Sequence, residues 1–169
     1  YQDMLSHHQQ ALGVATLELA YGEDPTVRSY AREVLMFQAQ EIGVMRQTLV
    51  DWGYDPNERP ETAMAWMGMA VPRDQMPGLL SDEQLAEMDE ARGADADRLF
   101  LELMAEHHRG GLHMAEEAST EASDEGVRRL AEIMARGQAQ EIVEYRQHAE
   151  AAGIDVDIAP VDVPPPNLP

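Results

Sequence analysis

A chain of 169 residues lies within the range of one domain able to bury a sizeable core. Its net charge of −20, with 32 acidic residues against twelve arginines and no lysine, argues against a nucleic-acid or anionic-lipid surface, because phosphate binding needs clustered positive charge; the acidity suits either cation partners or the solubility of an exported or salt-adapted protein. The lack of cysteine removes disulfides, thiolate metal sites and thiol nucleophiles, and no run approaches the roughly 20 apolar residues of a membrane span.

The apolar residues are mostly Ala, Leu, Val and Met, with few aromatics, a mix that favours helix. Met4, His8, Leu12, Ala15 and Leu19 recur at three- and four-residue steps and predict a first helix from the start to about Tyr21, ended by Gly22. Asp24-Pro25 reads as an N-cap followed by proline at the first helical position. The second helix then carries the stripe Ala31, Leu35, Gln38, Ile42, Met45 and Leu49 up to Gly53, with Gln38 at a position that should be core. Residues 53–80 hold four prolines together with Met64, Met67, Met69 and Met76. They predict a long crossover with one short helix around 61–69. Ser81-Asp-Glu-Gln84 is a capping box, opening a helix that runs, interrupted at Gly93, to about Ser119. A last helix from Ser123-Asp124 to Gly153 leads into a Pro-rich tail, expected to lie extended along the surface.

Shifted by one hundred residues, the sequence overlays itself. Met4, His7, His8, Leu12 and Ala15 fall on Met104, His107, His108, Leu112 and Ala115, and Gln38-Ala39-Gln40-Glu41-Ile42 recurs at 138–142. On a helix, residues three and four apart share a face. Met4 therefore stands beside His7 and His8, and Gln38, Glu41 and Met45 line one side of the next helix. Met104, His107, His108, Gln138 and Glu141 repeat the arrangement, with Tyr145 where Met45 stands. By the apolar stripe, His8 and His108 point inward and His7 and His107 sit at the edge of the same face. Thioether with imidazole suits copper, methionine favouring Cu(I) and imidazole accepting either oxidation state; zinc is a further candidate for the imidazoles. Glu41 and Glu141 would bind directly or fix an imidazole tautomer. The plainer alternative is a core histidine hydrogen-bonded to Gln38 or Glu41, with methionine as filler.

Met64, Met67 and Met69 around Trp66 form either an auxiliary Cu(I) cluster or a lid. His113, opposite Gly13 in the repeat, is an auxiliary or surface residue, and His148 is a favourable cation near a helix C-terminus. Carboxylate-bridged di-iron bundles use Glu-x-x-His on two helices; the chain contains none, nor any hydrolase or nucleotide-binding signature.

The Met-x-x-His-His segments, Gln38-x-x-Glu41-Ile42-x-x-Met45, Met76-Pro77-Gly78 and Asp97-Arg98-Leu99-Phe100 together resemble the bacterial domain of unknown function 305 family, over nearly everything from residue 3 to residue 150. The resemblance implies a ferritin-like bundle, usually exported, with some relatives linked to copper binding and resistance. It also implies metal contacts at Met4, His7, His8, Gln38, Glu41, Met45, Met104, His107, His108, Gln138 and Glu141. The chain departs from the pattern at Tyr145, at Arg109-Gly110-Gly111 and at Leu79-Leu80.

The expected architecture is all-α: a ferritin-like four-helix bundle with an internal pseudo-two-fold duplication and one long Met/Pro-rich crossover. Residues 1–153 form one domain (repeat one 1–57, crossover 58–80, repeat two 81–157) and 154–169 the tail. The expected function is extracytoplasmic, non-enzymatic copper sequestration or handover, in a secreted or cell-envelope protein whose leader or lipid tether would lie upstream of Tyr1. The metal ion is the partner; a homodimer is left open. The alternatives are a structural or interaction bundle with a buried polar network, and a ferritin-like redox enzyme.

Overall fold

Caps and breakers set the helix ends. In the computed structural model, which describes residues 1–165, α1 (Gln2–Tyr21) stops at Gly22. The next helix, α2 (Pro25–Asp51), starts where Asp24 Oδ1 accepts the N–H groups of Thr26 at 2.7 Å and Val27 at 3.1 Å, with proline placed where its missing N–H costs nothing. The same device recurs in the second half: Asp124 caps α5 (Glu125–Ala152), which ends at Gly153. The Ser81–Gln84 capping box opens α3 (Asp82–Glu90), and a break at residues 91–93 separates it from α4 (Ala94–Glu121).

The α1–α2 and α4–α5 hairpins join chiefly through α1 and α4, giving the helical bundle that the duplication predicts. Two apolar clusters fill it. One holds Val14, Val34, Phe100, Leu101, Met104 and Tyr145; the other holds Met4, Leu5, Met45, Met64, Met114 and Met134. Each fully buried Leu or Phe contributes roughly 1.5–3 kcal/mol. Leu5 belongs to one cluster and Ala11 to the other, so His7 and His8 fall on the boundary between them.

Of the short helix expected around 61–69, only a 3₁₀ turn at Ala65–Met67 forms. Around it β1 (Thr62–Ala63) pairs antiparallel with β2 (Val71–Pro72). Tertiary contacts override the local helical preference here. Asp3 Oδ2 accepts the Met64 N–H at 2.9 Å and the Trp66 indole N–H at 3.1 Å, and Met64 takes a left-handed backbone with φ of +58°. Arg73 completes the clamp on α1, reaching Asp3 Oδ1 at 3.0 Å and Ser6 Oγ at 3.1 Å. Farther along, the Gln10 amide donates to the Leu80 carbonyl at 3.0 Å and accepts its N–H at 2.8 Å.

Past Gly153 the chain is extended and crosses α4. Ile158 is buried, Arg109 donates to the Ala159 carbonyl at 2.8 Å, and the Asp157 N–H reaches Glu102 at 3.1 Å. Pro166, last of the three consecutive prolines, and residues 167–169 lie outside the described residues. Among the described residues no helix is long and apolar enough to cross a membrane.

Candidate metal centre

All four histidines of the repeated pairs are fully buried. The periodicity places His7 and His107 at the edge of the apolar face; the structure corrects this and puts them at the centre, ring on ring, with centroids 3.7 Å apart and planes tilted by 35°. The bare backbone of three glycines makes the close packing possible. A Cβ on Gly78 would stand 2.8 Å from the Gly110 Cα, from the His107 carbonyl oxygen and from His7 Nε2. One on Gly110 would collide with the Pro77 carbonyl, and one on Gly111 with the Gln138 amide oxygen while pressing His7 Cε1 at 3.0 Å. Gly78 also adopts φ of +85°, a region that only glycine enters cheaply. The crossover thus lies directly over the imidazole pair.

The repeated Gln-x-x-Glu segments meet the histidines from α2 and α5. His8 Nε2 lies 2.8 Å from Glu41 Oε2, and His108 Nε2 lies 2.6 Å from Glu141 Oε2. A carboxylate only accepts, so in the His8 pair, a hydrogen bond, Nε2 carries the proton and Nδ1 is the nitrogen left to bind something else; His108 Nε2 stands close to Glu141 without hydrogen-bond geometry. His107 Nε2 donates to the His7 carbonyl oxygen at 3.0 Å across the two halves, again leaving Nδ1. Burial first, and then the neighbouring imidazoles, push His7 and His107 well below the usual histidine range, so both rings are neutral at pH 7. A neutral imidazole is the ligand form.

The polar demand inside is not met by the protein. The Nδ1 atoms of His7, His8, His107 and His108, the Nε2 of His7 and of His108, the amide oxygen of Gln38 and both amide atoms of Gln138 find no hydrogen-bond partner. An unpaired buried polar group costs about 1–3 kcal/mol, so the cluster is expensive as it stands. Among the described residues, however, no three His, Asp or Glu side chains are gathered in a grip for one ion. The donors come as pairs, and a shared ion would need the rings to turn.

The remaining expected residues scatter. Met4 and Met45 line a cavity of about 320 Å³ together with Met114 and Met134, none of its lining residues being a histidine. Met104 is buried in the opposite cluster with Tyr145. Met64 is buried and Met67 packs against the same cluster, while Met69 and Trp66 are exposed, so Met69 stands apart from the other two. His113 is exposed on α4. His148 Nε2 lies 3.2 Å from Asp24 Oδ2, tying α5 to the start of α2.

Two features had no part in the sequence reading: the placing of Met114 and Met134 at the cavity and the burial of Glu18. The Tyr145 ring stands 5.9 Å from that of His108, fully buried, with no partner for its hydroxyl. Glu18, also fully buried, is raised to about 8 by burial, then by hydrogen bonding with and repulsion from Asp97, against the pull of Arg28.

A helical bundle of two repeated halves with a closed imidazole and carboxylate interior defines the class. Residues 1–149 match the domain of unknown function DUF305, and the chain belongs to that family. Among solved structures it is similar to a DUF305 protein from Streptomyces coelicolor whose description proposes secretion: 31% identity, 92% of this chain and 93% of that one, TM-score 0.84. A DUF305 fragment from Deinococcus radiodurans is 29% identical, with 89% and 92% covered and a TM-score of 0.75. CopM in its Cu(I)-bound form is 24% identical, with 89% and 93% covered and a TM-score of 0.66, and shares the fold. No curated protein matches the chain.

Proposed function

We propose that this chain is an extracytoplasmic copper-binding protein that sequesters or hands over the ion without chemical turnover, held by the duplicated His-His and Gln-x-x-Glu segments. The observation that carries this reading is the set of buried, partnerless imidazole nitrogens described above. A polar network serving only to fix helix register would be hydrogen-bonded throughout; this one is open at its centre. His8, His108 and the neutral His7 and His107 supply nitrogen donors, Glu41 and Glu141 orient two of the rings, and Gln38 and Gln138 offer amide oxygens. That chemistry suits Cu(II) and would also accept zinc. Further support comes from CopM, solved in Cu(I)-, Cu(II)- and Ag-bound forms. Export is supported by the description of the Streptomyces relative and fits the cysteine-free, acidic composition.

The test is titration with Cu(II) followed by electron paramagnetic resonance. Wild-type protein is expected to bind stoichiometrically with nitrogen hyperfine structure, and the double substitution His8→Ala, His108→Ala to lose that signal. Full stoichiometry and an unchanged spectrum in the double variant would remove the imidazoles from the site.

A further inference from the structure

The apolar cavity of about 320 Å³ opens between the start of α1, the C-terminal part of α2 and the facing parts of α4 and α5. Four of its lining residues are methionines, one from each long helix: Met4, Met45, Met114 and Met134. All four are almost fully buried, from 0% to 8% exposed. The one-hundred-residue repeat supplies an internal control. The positions equivalent to Met114, Met134 and Met45 hold Val14, Val34 and Tyr145; only Met4 meets another methionine, Met104. Those counterparts sit in the other apolar cluster. A stripe that needed only apolar filler is thus satisfied by valine at the same positions, whereas four thioethers and an open space occur together at one end.

We propose that this methionine cage is a second metal site, taking a soft monovalent cation, Cu(I) or Ag(I), through the sulfurs of Met4, Met45, Met114 and Met134. Thioethers are neutral, soft donors that select Cu(I) and bind hard divalent ions poorly. Methionine also has three rotatable bonds, so its sulfur can swing from packing to binding without backbone movement. Trp66, with its indole held on Asp3, and Glu121 stand among the lining residues at this end, and the carboxylates favour a cation over an anion. The inference shares with the proposed function the kind of ion, and takes Met4 and Met45 from the contacts the family resemblance implies; Met114, Met134 and a donor set of thioethers alone set it apart from the imidazole site.

The experiment is Ag(I) titration watched through the methionine methyl signals in ¹H–¹³C NMR, silver being diamagnetic. Met36, 65% exposed on the outside of α2, reports adventitious binding. The expected result is saturable shifts at Met4, Met45, Met114 and Met134, one Ag(I) equivalent fewer in Met114→Leu, Met134→Leu, and the same shifts retained in His8→Ala, His108→Ala. Leucine keeps the volume and removes the sulfur. Should the leucine pair fail to fold, Met114→Val, Met134→Val installs the residues of the other half and must give the same loss. Undiminished stoichiometry in the methionine variants overturns the cage. Loss of all silver in the histidine variant also overturns it, because one shared site would then explain both. Silver retained by the cage with no Cu(II) signal in the wild type would sink the imidazole reading alone.

Discussion

At one end of the bundle Met4, Met45, Met114 and Met134 surround open space. At the other, the residues one hundred positions away, Met104, Tyr145, Val14 and Val34, pack together in a cluster with Phe100 and Leu101. The difference continues outward. Ala118, which leaves room in the cavity, corresponds to Glu18, whose carboxyl is buried beside Asp97; Asp3, which clamps the crossover by hydrogen bonds, corresponds to Leu103 in the core. One end is thus held by apolar filling around two buried acids, Glu18 and Asp97, the other by polar clamps around a space. Duplication supplied equal frames, and the side chains at matched positions made one a keel and the other a receptacle.

The sharpest way to break this comparison is to truncate one residue at each end. Leu101→Ala, fully buried in the packed cluster, is expected to lose about 2–5 kcal/mol in urea unfolding. Met114→Ala is expected to lose less than about 2 kcal/mol, because its neighbours already border the cavity. Equal losses would mean that the space is not real in solution.

The pH dependence separates the ends next. Glu18 binds its proton up to about pH 8 in the fold but only to about 4.3 when unfolded. The folded state therefore holds the extra proton between those values, and stability falls as pH rises through the window, by up to ~1.4 kcal/mol per pH unit. His7 and His107, depressed by burial, act in the other direction. Below about pH 6.5 the unfolded chain binds protons that the fold refuses, so stability falls as pH drops. The metal-free protein should be most stable near pH 6.5. Glu18→Gln should remove the alkaline decline and keep the acid one; thermal melts across pH 5–9 check this, and a wild-type melt that is flat from pH 6.5 to 8 would refute the buried acid.

The smallest effect is expected at the clamp. Arg73→Ala removes the contacts to Asp3 and Ser6 from a partly exposed site, and should cost about 1 kcal/mol or less. It should also raise amide exchange at Met64 without touching the packed end. Exchange that rises equally at Val14 would show the ends to be one cooperative unit.

Much of this molecule was legible in its letters. Asp24-Pro25, Ser81-x-x-Gln84 and Gly153 mark helix ends because caps act locally, and the four- and three-residue stripes fix the long helices because each buries one face. The pairing of His8 with Glu41 was readable as a repeated spacing. The central stack of His7 on His107 was not: it depends on how closely the crossover approaches α4, a distance set by Gly78 and Gly110, residues more than thirty positions apart in sequence. The crossover fold was hidden for the same reason, since Asp3 reaches across from α1 to dictate the turn at Met64. Met114 and Met134 carried a signal only in comparison with Val14 and Val34.

The seam where Gly78 rests on Gly110 also has a bearing on time. Main chain meets main chain there, so the crossover cannot yield by a rotamer hop of the ps–ns kind; it leaves as a segment, a motion of ns–μs or slower. His7 Nε2 faces that seam, and anything arriving at or departing from it on this side waits for the segment to lift. Under the proposed function, residence of an ion at the imidazole stack would be governed by the frequency of that excursion, and two variants of equal affinity that differ only in the fit of this seam would release it at different rates.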